Sequence, residues 1–356
     1  MELQLEQILK DAQKRGASDV FIIPGKALSI KVGGSIIEVT DTPLMPPDTR
    51  DLLIEVYRHT RNRSIEQVEQ EGDDDFSFSL PGVARFRVSA FKQRGSLSAV
   101  IRIVAFELPD PAKLGIPQIA LDQGDRTKGL VLVTGPTGSG KSTTLACIIN
   151  KINTDRNAHI ITLEDPIEFL HKHKNSIVSQ REIALDTDSY PVALKAALRQ
   201  APNVILIGEL RDQTTIEIAM TAAETGHLVI SSLHTVGSAN TVDRIIDAFP
   251  PSQQGQIRLQ LSMVLASVIS QQLIISNDGD VVPVFEIMIV NDAIKNMIRE
   301  SKIHQIDSVI TQSAGEGMVS MDAELLRLAK EEIISKQTAV AFATMPELMK
   351  KRLLQV

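Results

Sequence analysis

The sequence predicts a two-domain α/β chain. A small α+β part spans residues 1–106, a linker spans 107–126, and a larger part built on a parallel sheet spans 127–356, ending in helices from about 291. Three observations carry this. From about residue 127, buried-strand runs alternate with helical runs, the pattern of a parallel sheet with crossover helices. Before that point the strands are short, period-two runs with little helix between them. Between the two parts, Leu108-Pro109-Asp110-Pro111 and Gly115-Ile116-Pro117 punctuate the chain as a linker.

In the first part, Leu5, Ile8, Leu9 and Ala12 give a short amphipathic helix. Strands are predicted over 20–23, 28–32 and 36–39, with Gly33-Gly34 as a hairpin turn. Leu52, Leu53 and Val56 predict a helix over 48–60. Phe76/Phe78/Leu80, Phe86/Val88/Ala90 and 97–104 alternate as strands. The acids Glu71, Asp73, Asp74 and Asp75 read as a solvated turn ahead of the strand at 76–80. In the second part, strands are predicted at 129–134, 159–163, 203–208 and 228–232, with a helix at 213–225 closed by Gly226. Ile257, Leu261, Val264, Leu265, Val268 and Ile269 keep helical spacing and predict one long helix. A strand follows at 281–290.

The run 135–143, GPTGSGKST, has the spacing G-x-x-x-x-G-K-[ST] and sits between a strand run and a helix run. Gly135, Gly138 and Gly140 let the backbone curl so that successive N–H groups face an anion, as do those of Pro136–Thr143 around them wherever an N–H exists. Lys141 supplies a cation for the β- and γ-phosphates of ATP, and the hydroxyl of Ser142 is a ligand for Mg²⁺. The nucleotide-binding set is therefore Gly135, Pro136, Thr137, Gly138, Ser139, Gly140, Lys141, Ser142 and Thr143.

Two further acidic strand ends complete this chemistry. The apolar run Val204–Ile207 is followed by Gly208-Glu209, and Glu209 is placed to hold Mg²⁺ through water. The run 161–168 ends in Glu164, Asp165 and Glu168, where a carboxylate can orient or deprotonate the attacking water. Spacing does not choose among the three. His227 and His234 bracket the strand 228–232. His234, at its C-terminal end, is placed to sense the γ-phosphate, and His227 suits a structural hydrogen bond. Arg85, Arg87, Arg94 and Arg102 lie on the alternating strands of the first part, as surface charge or as arginine fingers reaching a neighbouring subunit's ATP.

Composition narrows the field. The net charge of −7, 3% aromatic content and lack of Trp argue against a nucleic-acid partner. The single cysteine, Cys147, allows no internal disulfide and reads as helix packing. The charged amphipathic start is unlike a signal peptide, and no 18-residue apolar stretch occurs, so a reducing, cytoplasmic setting is expected.

Taken together, ASDVFI (17–22), ARFRVSAFKQRG (84–95), GPTGSGKSTT (135–144), ITLEDPIEFLH (161–171), SQREIALDTDSY (179–190), ALRQAPNVILIGELRD (197–212) and TAAETGHLVISSLHT (221–235) resemble the secretion and type IV pilus ATPases of the RecA-like motor superfamily. Within it the chain is most similar to the pilus retraction ATPases. The resemblance implies a RecA-like ATPase domain, a PAS-like N-terminal domain and a helical C-terminal extension. It implies Glu168 as the catalytic carboxylate supported by Glu164 and Asp165, Glu209 as the Walker B residue, and a sensing role for His234 with His227 in the same box. It also implies a homohexamer completed by a neighbour's arginines, acting with the pilus machinery on an inner-membrane platform protein from the cytoplasmic face of the membrane.

Two departures stand out. Residues 293–300 read AIKNMIRE where many retraction ATPases have AIRNLIRE, and Gln200-Ala201 resembles the accessory branch. The rival readings are an accessory retraction ATPase, a pilus-assembly or type II secretion ATPase, an ATP-binding scaffold, and a DNA motor. The single cysteine and short N-terminal part oppose the assembly type. The full acidic set opposes a scaffold, and the acidic, Trp-free composition opposes a DNA motor.

Overall fold

A computed structural model describes residues 4–60, 63–104 and 108–355. The chain divides into two compact bodies. One comprises residues 1–107 with Glu168–Leu170, and the other Leu108–Ile167 with His171–Val356. The sequence boundary at 106/107 lies outside the described residues.

The first body is built on one antiparallel sheet of β1 (Asp19–Ile22), β2 (Ala27–Val32), β3 (Ser35–Pro43), β4 (Asp73–Leu80), β5 (Ala84–Gln93) and β6 (Ser96–Val104), in the order β3-β2-β1-β6-β5-β4. Alternation decides which side is dry. Phe76, Phe78, Phe86, Val88 and Ile101 pack with the helices Leu5–Lys14 and Pro46–Arg58 through Leu9, Leu53 and Val56. Asp74 corrects the expectation of a solvated acidic turn. It lies inside β4, is 5% exposed, and accepts a 2.9 Å hydrogen bond from Tyr57 Oη while pairing with Arg63. The period of two turns it inward where its neighbours face out.

The second body holds a seven-stranded sheet of β7 (Gly129–Thr134), β8 (His159–Glu164), β9 (Ile177–Glu182), β10 (Val204–Ile207), β11 (Leu228–Leu233), β12 (Leu265–Ile275) and β13 (Val281–Ile289). Its order is β13-β12-β7-β11-β10-β8-β9, parallel except for the antiparallel edge strand β13. The α/β expectation is met. Both faces are covered, so the strands read as unbroken apolar runs. Val131 and Val133 pack under the helix Lys141–Asp155 through Ile148, Ile149 and Ile152. Leu130 and Leu132 face the opposite layer, which contains Ile216, Ala219 and Met220 of the helix Gln213–Glu224. Beyond the sheet, Met321–Lys330, Lys336–Phe342 and Pro346–Leu353 form a helical C-terminal group with its own small core against Ile274 and Val284.

One element differs from expectation. The helix beginning at Pro251 stops at Val264, and Leu265 starts β12. β12 runs between β7 and β13 with both faces buried over most of its length, so it shows no period of two. The spacing of Leu265, Val268 and Ile269 then imitates a helix, although the β-branched Val268, Ile269, Ile274 and Ile275 favour a strand.

Candidate functional site

Parallel register brings four strand ends together. Thr134 pairs with Leu233, Ser231 with Ile207, and Ile207 with Leu163. Gly135, His234 and Glu209 beyond these strands, and Glu164 as the last residue of β8, therefore lie along the carboxyl edge of the sheet, where open α/β sheets bind ligands.

The phosphate-loop run takes up the strand-loop-helix form its spacing predicts. It links β7 to the helix that opens at Lys141, with Gly140 in the left-handed region as its N-cap. Gly135 has φ of +148°, and a Cβ there would strike the backbone carbonyl oxygen of Gln271 and approach Ser139 Oγ at 2.6 Å. Glycine is thus required by crowding as well as by φ. Gln271, on β12 and 2% exposed, donates from Nε2 to the Ser139 carbonyl and so ties the loop to the sheet.

Lys141 is buried, and its Nζ donates to the carbonyls of Gly135 and Pro136, both at 3.0 Å. Burial pulls its ammonium below the usual lysine range, while the carboxylate of Glu209 opposes that shift. His234 Nδ1 lies 3.5 Å from Lys141 Nζ, and His234 Nε2 lies 3.0 Å from Glu209 Oε2. A donor-only ammonium on one side and an acceptor carboxylate on the other select the Nε2–H tautomer. Lys141, His234 and Glu209 thus form one chain of contacts.

Arg211 pairs with the other oxygen of Glu209 and stands 3.9 Å from Asp165. Glu164 is buried, and it accepts hydrogen bonds from Thr162 Oγ1 at 2.6 Å and Gln180 Nε2 at 3.2 Å. Burial foremost, reinforced by Asp165 and Glu209, pushes the Tyr190 phenol above the usual tyrosine range, so it stays protonated beside these acids. Arg211, Gln180, Tyr190 and Gln271 are additions to the sequence-derived set. Arg211, Gln180 and Tyr190 lie within segments that carry the family resemblance, and Gln271 lies in none of them.

The remaining candidates divide. Glu168 groups with the first body, where Arg87 Nη1 donates to its Oε1 at 3.1 Å. Arg85 reaches Ser79 and Ser77, and Arg102 pairs with Asp19 at 3.0 Å. Arg87 and Arg102 are direct cross-strand partners, so each meets a carboxylate that offsets their mutual repulsion. Arg94 is exposed in the two-residue turn between β5 and β6. His227 corrects its grouping with His234. It lies at the opposite end of β11, with Nδ1 3.0 Å from the Ala222 carbonyl, so within this chain it does not share the site of Lys141.

The exposed Ser142 hydroxyl in the first helical turn and the Glu209 carboxylate are hard oxygen donors of the kind Mg²⁺ takes. Among the described residues no group of three metal-ligating side chains occurs. The buried, unpartnered Ser139 Oγ offers a further hydrogen-bonding group within the loop.

Fold and site define a phosphate-loop nucleoside-triphosphate hydrolase. Residues 1–305 match the family model described as type II/IV secretion system protein, and the chain belongs to that family as an ATP hydrolase. It is 41% identical over 345 residues to the type IV pilus retractation ATPase PilT of Pseudomonas aeruginosa, covering 97% of this chain and 99% of that one. It is 45% identical over 311 residues to a twitching motility protein of Neisseria gonorrhoeae, covering 87% and 82%. The type IV pilus ATPase PilU of Pseudomonas aeruginosa is 38% identical over 342 residues, covering 96% and 89%. Among solved structures, the pilus retraction motor PilT with bound ADP superposes with a TM-score of 0.89 at 43% identity, covering 98% of this chain and all of that one. Among the described residues no helix is long and apolar enough to cross a membrane.

Proposed function

We propose that this ATPase is the motor that drives retraction of type IV pili, working as a homohexamer on an inner-membrane platform protein from the cytoplasmic side. The observation that carries the reading is the contact chain Lys141–His234–Glu209 at the sheet edge, in a chain alike over nearly its full length to retraction ATPases. Lys141 neutralises the β- and γ-phosphates of ATP. Ser142 and Glu209 hold Mg²⁺, Glu209 through water. His234 lies between lysine and carboxylate, so gain or loss of a γ-phosphate shifts its hydrogen bonds and is passed to the loop behind it. Glu168 is the general base, with Glu164 and Asp165 shaping the acidic end. Arg85, Arg87, Arg94 and Arg102 supply the candidates that complete a neighbour's site.

An accessory role in retraction is the second reading, favoured by Gln200-Ala201 and by the similarity to PilU. A clean deletion in the host, with imaging of pilus number and twitching, tests both. Excess static pili support the main motor, and retraction that persists supports the accessory role. Loss of all pili indicates an assembly ATPase and rejects both.

A further inference from the structure

The segment after β11 carries His234 at one end and opens the helix Ser238–Asp247 at the other. Two buried side chains hold it to the sheet. The amide of Gly237 donates to Ser270 Oγ on β12 at 2.9 Å, and the amide of Ser238 donates to Glu286 Oε1 on β13 at 2.7 Å. Glu286 is 5% exposed. A carboxylate so buried is costly unless donors surround it, and a leucine would fill the place more cheaply.

On its other side Glu286 shares a cavity with Ser320, Met321 and Asp322, from the start of the C-terminal helices. Glu286 thus stands between the His234 loop and the start of the helix Met321–Lys330. The next residue, Ile287, exchanges backbone hydrogen bonds with Val319 at 2.8 and 3.0 Å. Asp322 in turn accepts from the amides of Thr344 and Met345, at 2.6 and 3.0 Å, where the last helix begins. Asp307, Asp322 and Arg352 line the same cavity as Glu286, a space of about 240 Å³.

We propose that Glu286 is a positioning residue for ATP hydrolysis: it pins the far end of the His234 loop and so fixes the placement of His234. The proposal rests on the reading of His234 as the γ-phosphate sensor. His234 must meet Glu209 and Lys141 at hydrogen-bonding distance together, and its loop is anchored three and four residues away, at Gly237 and Ser238. Freed of Glu286, the Ser238 amide must find another partner and the loop moves to supply it. The phosphate loop, tied separately through Gln271, keeps its shape.

The test compares turnover with nucleotide affinity in the full-length protein. Glu286→Leu should lower kcat about tenfold while affinity for a non-hydrolysable ATP analogue stays within about twofold. Glu286→Gln keeps an acceptor for Ser238 and should restore most of kcat. Leu325→Ala, in the core of the C-terminal helices, should lower the melting temperature at least as much as Glu286→Leu without the loss of kcat. Placed on His234→Ala, Glu286→Leu should add less than about twofold, because its target is gone. If Glu286→Leu does not fold, Ser270→Ala must give the same kcat loss by releasing Gly237. Multiplying losses in the double variant, wild-type kcat in Glu286→Leu, or an equal kcat loss in Leu325→Ala overturns the proposal. Wild-type turnover in His234→Ala overturns the sensor reading and the pin together. An impaired His234→Ala beside a normal Glu286→Leu overturns the pin alone.

Discussion

Gly135→Ala is a sharp perturbation of the site, because the structure separates its cost into two parts. The residue sits at φ of +148°, a conformation side chains rarely adopt. Holding alanine there costs about 1–3 kcal/mol. The added Cβ also meets the Gln271 backbone carbonyl, which β12 holds in place, and Ser139 Oγ at 2.6 Å. Overpacking of this kind adds about 1–3 kcal/mol. The total, about 2–6 kcal/mol, is a large share of a typical stability of about 5–15 kcal/mol. In a body of this size it lowers the melting temperature by roughly 4–24 °C. Any relief by moving the loop displaces the Gly135 carbonyl, on which Lys141 Nζ rests at 3.0 Å. Gly138→Ala is the internal comparison: φ is +80° but its Cβ points into open space. It should cost only the conformational part, about 1–2 kcal/mol. Differential scanning fluorimetry without nucleotide, with titration of a fluorescent ATP analogue, measures both effects. Gly135→Ala that melts and binds like wild type, or like Gly138→Ala, refutes the reasoning.

Glu168→Gln should bind ATP but lose about 10²–10⁴-fold in phosphate release, while Glu209→Gln should also need more Mg²⁺ for half-maximal rate. Normal turnover in Glu168→Gln beside an inactive Glu164→Gln reassigns the base to the acid buried next to Thr162 and Gln180. Burial pushes the Cys147 thiol up to about 11, with Asp110 adding to it, so at pH 8 only ~10⁻³ of it is thiolate. A maleimide or disulfide reagent should therefore label it only after denaturant is added, and rapid native labelling contradicts its packing. Mixing Lys141→Ala subunits with subunits altered at Arg85, Arg87, Arg94 or Arg102 should recover ATPase activity at mixed interfaces. No recovery for any arginine, with rings intact by light scattering, counts against fingers supplied by a neighbour.

Where local chemistry dictates local structure, the sequence was readable. The phosphate loop declared itself because glycine, lysine and hydroxyl spacing have one strong use between a strand and a helix. The carboxyl-edge positions of Glu164, Glu209 and His234 followed from apolar runs with polar ends. What escaped depends on contacts between distant segments. β12 imitated a helix because both of its faces are buried. Gln271 meets Ser139 from 132 residues away, and Glu286 meets Ser238 from 48 residues away, and neither belongs to a local pattern. Asp74 looked solvated because its partners, Tyr57 on the helix Pro46–Arg58 and Arg63 beyond it, come from outside its own strand. The family resemblance put His227 and His234 in one box, but a strand of six residues separates them by about 20 Å.

The central claim is that ATP turnover at the phosphate loop powers pilus retraction. Its most direct test is fluorescence microscopy of labelled pili in the host strain whose only copy of this chain carries Lys141→Ala. Loss of the fixed cation on the γ-phosphate should cut phosphate release by at least about 100-fold, and cells should carry extended pili that do not shorten. Retraction events at wild-type frequency and speed in that strain would contradict the account.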